Sequence, residues 1–241
     1  MLSINQRKYV NSLKQKKYRN QHQTFVVEGE KMVNELILSD FEIELLFVVK
    51  EAPINYSSAI ELSVDEMKSI SSLATPSNYL AVARQKITTE KLHLKGLILA
   101  LDNIKDPGNL GTIIRIADWF GVSQIVCSNE CVDVFNPKVI QATMGSIFRI
   151  NIVYTDLNHF FTENKELPVY GALLEGDNVY KKGVASKNAI LLMGSESFGI
   201  NPALLPFVTD KIMIPKDGQA ESLNVAVATG ILCSEYQRLN H

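Results

Sequence analysis

Long apolar runs are missing from this 241-residue chain, and none approaches the roughly 20 residues that a membrane-spanning helix needs. The amino terminus is polar and basic with no apolar core behind it, which is not the pattern of a secretory signal peptide. Cysteine is scarce: Cys127, Cys131 and Cys233 are an odd number without zinc-type partners, which fits a reducing cytoplasm. The four histidines, His22, His93, His159 and His241, have no metal-ligand spacing, so no metal is expected. No G-x-G-x-x-G occurs, so the usual dinucleotide loop is missing too. Finally, no acidic residue precedes Glu28.

That last absence leaves Arg7, Lys8, Lys14, Lys16, Lys17 and Arg19 unopposed, 6 of the chain's 24 basic residues. The remainder carries 18 basic against 26 acidic side chains, a net of −8, although the whole chain is only −2. A local basic segment on an acidic protein points to phosphate contacts at one end rather than a coat of nucleic acid. Tyr9 and Tyr18 lie within it and could stack on unpaired bases. A solvated helix with lysine stems lying along it is the plainer alternative.

With 46% hydrophobic and 21% charged residues, the chain can build one large core or two modest ones. Periodicity in the first part predicts a helix at about 5 to 18 and a strand from Thr24 to Val27. A helix from Glu30 to Leu38, a strand from Glu44 to Val49 and a short strand near Ile60 follow. Ser63 and Glu66 have capping-box spacing for a short helix through Met67, and Tyr79 to Ala83 reads as a strand. The polar stretch Gln85 to Lys95 is the best linker, which places a boundary near residue 93 and two domains at 1–93 and 94–241.

The second part alternates apolar strands with helical or turn segments, the strands at about 97–102, 124–127, 147–153, 169–174, 189–193 and 211–214. Such alternation implies an α/β fold with a mostly parallel sheet, and a final helix from about Ser222 to Arg238 should pack on it. Three turns each follow an apolar strand. In Asp106-Pro107-Gly108-Asn109, proline and glycine set the turn, Asn109 can cap a helix, and Arg115 lies on a second stripe with Thr112 and Trp119, which makes it an inward-facing cation beside the core edge. The second turn, Gly194 to Gly199, has phosphate-loop glycine spacing but continues Ile200-Asn201 where Lys-Ser/Thr is required, and Glu196 would repel phosphate. Its glycines would let backbone approach a neutral or cationic ligand. The third runs from Ile214-Pro215 to Ser222-Leu223-Asn224 at the head of the last helix, where Ser222 could simply be a cap.

Together these turns resemble the motifs of the SpoU/TrmH family of RNA ribose 2′-O-methyltransferases, within the SPOUT superfamily. The first motif is Asp106 through Arg115, the second Leu192-Met193-Gly194-Ser195-Glu196, the third Ile214-Pro215 with Glu221 through Ala228. They cover about residues 96 to 240, and the basic first unit resembles the small amino-terminal substrate-binding domain of many members, with Phe25-Val26-Val27-Glu28-Gly29 as its clearest echo. The resemblance implies a trefoil-knotted methyltransferase domain after a small α/β RNA-binding domain, S-adenosylmethionine as methyl donor, and a homodimer. It implies that Met193, Gly194, Ile214 and Leu223 line the cofactor cleft, with a loop at 171–176 carrying Leu173 to close it. Asn109, Arg115, Glu196, Ser222 and Asn224 should surround the reacting ribose. One departure is Gln141, where relatives often have a basic residue.

A guanidinium stays protonated near neutral pH, so the expected role of Arg115 is cationic, at the ribose or its phosphate, rather than that of a base. Asn109 and Glu196 would hold that arginine or the RNA. The extra domain favours structured ribosomal RNA, 23S above all, over transfer RNA. The alternatives are a transfer RNA ribose methyltransferase, an inactive RNA-binding assembly factor of the same fold, and, more remotely, a dinucleotide enzyme.

Overall fold

A computed structural model of the protein describes residues 1–50, 52, 53, 56–86 and 94–240. The chain divides into two compact units, one of Met1–Ile87 with Asp133–Phe148 and one of Thr88–Val132 with Arg149–His241. The expected boundary near residue 93 lies outside the described residues.

The first unit begins with α1 (Ile4–Ser12), α2 (Lys16–His22), β1 (Thr24–Glu28) and α3 (Glu30–Ile37). It continues through β2 (Ile43–Val49), β3 (Ile60–Leu62), α4 (Val64–Ile70) and β4 (Tyr79–Arg84). The strands form one sheet in the order β1-β4-β2-β3, antiparallel except for the β2–β3 pair. Ser63 caps α4 as its sequence predicts: its Oγ accepts from Glu66 N at 3.2 Å, and Glu66 accepts from Ser63 N at 2.8 Å. The core gathers Val10 and Leu13 with Phe47, Leu62, Met67, Ile70 and Leu80.

The single helix expected over 5–18 is two helices, because Gln15 is extended (φ −101°, ψ 133°). The break frees the carbonyls of Leu13 and Lys14, and both accept from Arg19 Nη1, at 2.9 and 3.0 Å. Arg19 also donates to Asp133 at 2.6 Å, with its own side chain 2% exposed.

The second unit opens with β5 (Leu97–Leu101), α5 (Pro107–Trp119) and β6 (Gln124–Ser128). Residues 133–148 then belong to the first unit, carrying α6 (Pro137–Thr143) and a 3-10 turn at Ser146–Phe148. Phe135 packs on Phe25 and Phe148 on Phe41, with ring centroids 4.7 and 5.4 Å apart. The strand expected over 147–153 is corrected accordingly: Ile147 and Phe148 are buried in a 3-10 turn of the first unit, Phe148 against Phe41, and the strand starts at Asn151.

The second unit resumes with β7 (Asn151–Thr155), α7 (Leu157–Glu163), β8 (Val169–Asn178), α8 (Val179–Lys182), β9 (Ala189–Met193), β10 (Asp210–Met213) and α9 (Val225–Asn240). Its six strands lie in the order β10-β8-β9-β5-β6-β7, and every pair is parallel. Strands β5, β6 and β9 are buried along their whole length, as continuous apolar runs in a parallel sheet should be. Leu110, Ile113, Ile114 and Ala117 bury the inner stripe of α5, each full aliphatic contributing about 1.5–3 kcal/mol. Because all strands run one way, the segments that leave β5, β9 and β10 emerge at the same edge of the sheet.

The expected 171–176 loop is an excursion within β8 rather than a separate loop. Pairing with β10 jumps from Gly171 to Asp177, so residues 172–176 have no register partner in β10.

Candidate active site

The turn after β5 differs from its expected form in one informative way. Asp106, not Asn109, caps α5: its Oδ1 accepts from Asn109 N at 2.7 Å, and Pro107 occupies the first helical position. Asn109 is therefore inside the first turn with its side-chain amide free for other partners. Its Nδ2 donates to Glu196 Oε1 at 2.6 Å, and its Oδ1 accepts from Asn224 Nδ2 at 2.9 Å.

Asn224 in turn caps α9, its Oδ1 accepting from Ala226 N at 2.9 Å and from Val227 N at 3.3 Å. The last helix thus starts at Val225, later than Ser222, and the capping role considered for Ser222 falls to Asn224. One asparagine of the first turn, one glutamate of the second and one asparagine of the third are joined in a continuous hydrogen-bonded chain.

Arg115 and Ser222 stand outside that chain. Both are exposed, and among the described residues the Arg115 guanidinium has no ion-pair or hydrogen-bond partner. Thr112, Arg115 and Trp119 do share one stripe of α5, but that stripe faces outward, with Trp119 84% exposed. This corrects the expectation of an inward-facing cation at the core edge, because Leu110, Ile113, Ile114 and Ala117 fill the buried side of the helix. Asn109 and Glu196 hold each other rather than the arginine. Arg115 follows Asn109 by six residues on α5, so the helix carries both the fixed amide–carboxylate pair and an exposed cation suited to an anionic ligand.

The second turn is a small hairpin. Ser195 and Gly199 exchange backbone hydrogen bonds at 2.9 and 3.0 Å, and Gly199 adopts φ +67°. The glycine at 194 serves the chain itself: a Cβ there would lie 2.2 Å from Gly199 C and Ile200 N. The close approach of the hairpin's return strand is by itself a reason for glycine at this position. Asp102, which no motif of the sequence marks, anchors the exit. Only 5% exposed, it accepts from Asn201 N at 2.7 Å, and burial pushes its carboxyl above the ordinary range. A lone acid directly after a buried apolar strand was the available signal.

Met193 ends β9 at 3% exposure, Ile214 is half-buried just beyond β10, and Leu223 is 50% exposed. Leu173 lies in the β8 excursion, half-buried against the core of the second unit. Among the described residues, 215–223 make no backbone-to-backbone hydrogen bond outside the helices and strands, and of their carbonyls that of Ala220 accepts from Lys216 Nζ at 3.2 Å, so most of this segment's backbone is open to a ligand. Free backbone donors and acceptors with apolar lining fit S-adenosylmethionine, which has a purine and polar ends but no phosphate.

In the first unit, Arg7, Lys8, Lys14, Lys16 and Lys17 are exposed. Arg19, expected with them as an RNA contact, is not available: its buried guanidinium is consumed by Asp133 and two carbonyls. Tyr9 is committed as well, its ring edge-on to His22 at 5.1 Å and its hydroxyl donating to Glu44 at 2.8 Å.

Residues 96–234 match the SpoU rRNA methylase family, and residues 5–81 match the MRM3-like substrate binding domain. The chain is 35% identical over 224 residues to the 23S rRNA (guanosine(2553)-2′-O)-methyltransferase RlmP of Bacillus subtilis, covering 90% of each protein. It is 34% identical over 161 residues to the mitochondrial rRNA methyltransferase 3 of Xenopus laevis, a match covering 61% of this chain but only 38% of that protein. The AdoMet-bound rRNA methyltransferase of Sinorhizobium meliloti superposes with a TM-score of 0.87 at 30% identity, over 99% of this chain and 97% of that one.

Proposed function

Because this chain belongs to the SpoU rRNA methylase family, we propose that it transfers a methyl group from S-adenosylmethionine to a ribose 2′-hydroxyl of 23S ribosomal RNA. The observation that carries the reading is the Glu196–Asn109–Asn224 chain, which joins all three motif turns. Bound S-adenosylmethionine supplies a sulfonium methyl group to a nucleophile aligned behind it. The backbone of 214–223, with Met193, Gly194 and Leu223, would hold the donor, and Leu173 would close over it.

Everything else is positioning and charge. Arg115 binds the ribose or its adjacent phosphate and stabilises oxyanion character as the 2′-oxygen attacks. It does not take the proton, since a charged guanidinium has no lone pair to offer; the proton leaves through phosphate or water. Asn109 keeps Glu196 and Asn224 in one arrangement around the acceptor, and Ser222 offers a hydroxyl at its edge. Orientation of this kind supplies up to about 7–11 kcal/mol in good intramolecular cases.

The exposed cations of α1 and α2 would hold RNA phosphates. We place the protein in the cytoplasm and read it as a homodimer, the dimer supported by Trp119 and Val227, 84% and 52% exposed on helices that pack together. Sedimentation equilibrium tests the dimer and cell fractionation the compartment. The trefoil knot implied by the family belongs to this reading as well, and an experimental structure traced through 170–240 tests it.

Ribose-methylation mapping by mass spectrometry, in RNA from cells with and without the protein, tests the function. One 2′-O-methyl group should vanish from 23S RNA and return when purified protein and S-adenosylmethionine are added. Loss from transfer RNA instead would replace the substrate, and identical maps would remove the activity.

A further inference from the structure

Resting on the methyltransferase reading of this site, we propose that Phe198 is a stacking platform for an unpaired nucleobase of the RNA at the methylation site. Phe198 is 87% exposed at the tip of the hairpin that carries Glu196. Its exposure is imposed by the backbone. The hairpin is closed by the Ser195–Gly199 pair, and Phe198 N donates to Ser195 Oγ at 3.2 Å. Both ends of the hairpin are clamped: Glu196 accepts from Asn109 before the tip, while beyond it Ile200 is 5% exposed and Asn201 N is held by Asp102. A phenyl ring is thus kept in water at a fixed distance along the chain from a residue of the active site.

The chemistry of the acceptor gives that ring a use. Proteins that select one nucleotide in structured RNA mostly do so in loops and bulges, where an unstacked base is splayed out and stacks on an aromatic surface. Among residues 102–106, 194–201 and 214–224, which leave β5, β9 and β10 on the site side, Phe198 is the sole aromatic. Glu196, two residues away, disfavours phosphate at this tip, so the hairpin faces a base rather than the backbone. With no polar atom on the ring, the contact reads no sequence, as stacking platforms for single strands characteristically do.

The test uses full-length protein, labelled S-adenosylmethionine and ribosomal RNA from cells lacking the protein. Phe198→Ala should lower kcat/KM by at least about fivefold, chiefly through KM, with unchanged affinity for S-adenosylmethionine, unchanged Tm and unchanged sedimentation. Phe198→Trp should restore it to within about twofold of wild type, and Phe198→Leu should remain near Ala. A leucine variant equal to wild type overturns stacking, and so does an alanine variant within about twofold of wild type. Weakened cofactor binding in the alanine variant would assign the ring to the donor cleft, and a changed oligomeric state would assign it to a subunit contact. A wild-type protein that methylates no RNA removes the functional reading and this one together, whereas an active wild type with an indifferent Phe198 removes this one alone.

Discussion

Asn109 donates its Nδ2 hydrogen to Oε1 of Glu196 across 2.6 Å, although the two residues are 87 positions apart in the chain. The same amide accepts from Asn224, so its loss would release the second and third turns at once. Asn109→Ala should cut methyl transfer by at least about tenfold in single-turnover assays. Stability should change by no more than about 1.5 kcal/mol, because the bonds are exposed to water. Asn109→Asp sets a second carboxylate against Glu196 and should be worse than alanine for activity. Equal activity of the alanine variant and wild type would show that the chain is not part of the machinery.

Arg115 is a different case, since among the described residues its guanidinium has no hydrogen-bond or ion-pair partner. Arg115→Ala should lower kcat by at least about 10²-fold, as loss of a charge that acts in the transition state does, with S-adenosylmethionine affinity unchanged by calorimetry. Lysine should not rescue it fully, because a point charge does not reproduce the guanidinium fork. Near-normal turnover in the alanine variant would exclude the role.

Asp102 supplies a pH signature. Burial raises its carboxyl above the ordinary 3.8, against the pull of Asn201 N–H. A raised folded value means that this group's contribution to stability is fully present below 3.8 and is lost as pH rises through the folded value. Asp102→Asn keeps an acceptor for Asn201 N and does not titrate. The stability of wild type minus that of the variant should therefore fall as pH rises through this window, read from thermal melts at closely spaced pH. A difference that grows with pH would contradict the burial argument.

The Arg19–Asp133 pair should be costly to break, because its side chains are 2% and 13% exposed and the arginine also satisfies two helix-end carbonyls. Removing one partner of such a pair leaves the other charge buried, at a cost of about 3–5 kcal/mol. Arg19→Met should shift urea unfolding accordingly. A midpoint within error of wild type would show that water reaches the site.

Removing residues 1–20 is a poor probe of RNA binding, since it would delete Val10, Leu13 and Arg19, all buried. Replacing Arg7, Lys8, Lys14, Lys16 and Lys17 by glutamine leaves the core intact. If all five touch phosphates, the slope of log affinity against log salt should flatten by about 0.7–0.9 for each phosphate left without its cation. An unchanged slope with unchanged affinity would make these cations ordinary solvated side chains.

Much of this protein was legible locally. Apolar runs short enough for buried parallel strands, the Ser63–Glu66 capping box and the common stripe of Thr112, Arg115 and Trp119 all depend on residues within a few positions of one another, although the structure turned that stripe outward. The three motif turns were recognisable for the same reason, since proline, glycine and asparagine act on their own stretch of backbone. Tertiary structure decided the rest. It moved the α5 cap to Asp106 and so freed Asn109 for partners 87 and 115 positions away. It also turned Arg19 from a candidate RNA contact into the partner of Asp133, 114 positions on, and drew Ile147 and Phe148 out of a strand and into a buried turn of the first unit. Periodicity and turn chemistry report what a segment prefers by itself, whereas a side chain's partner is set by which distant segment the core brings beside it.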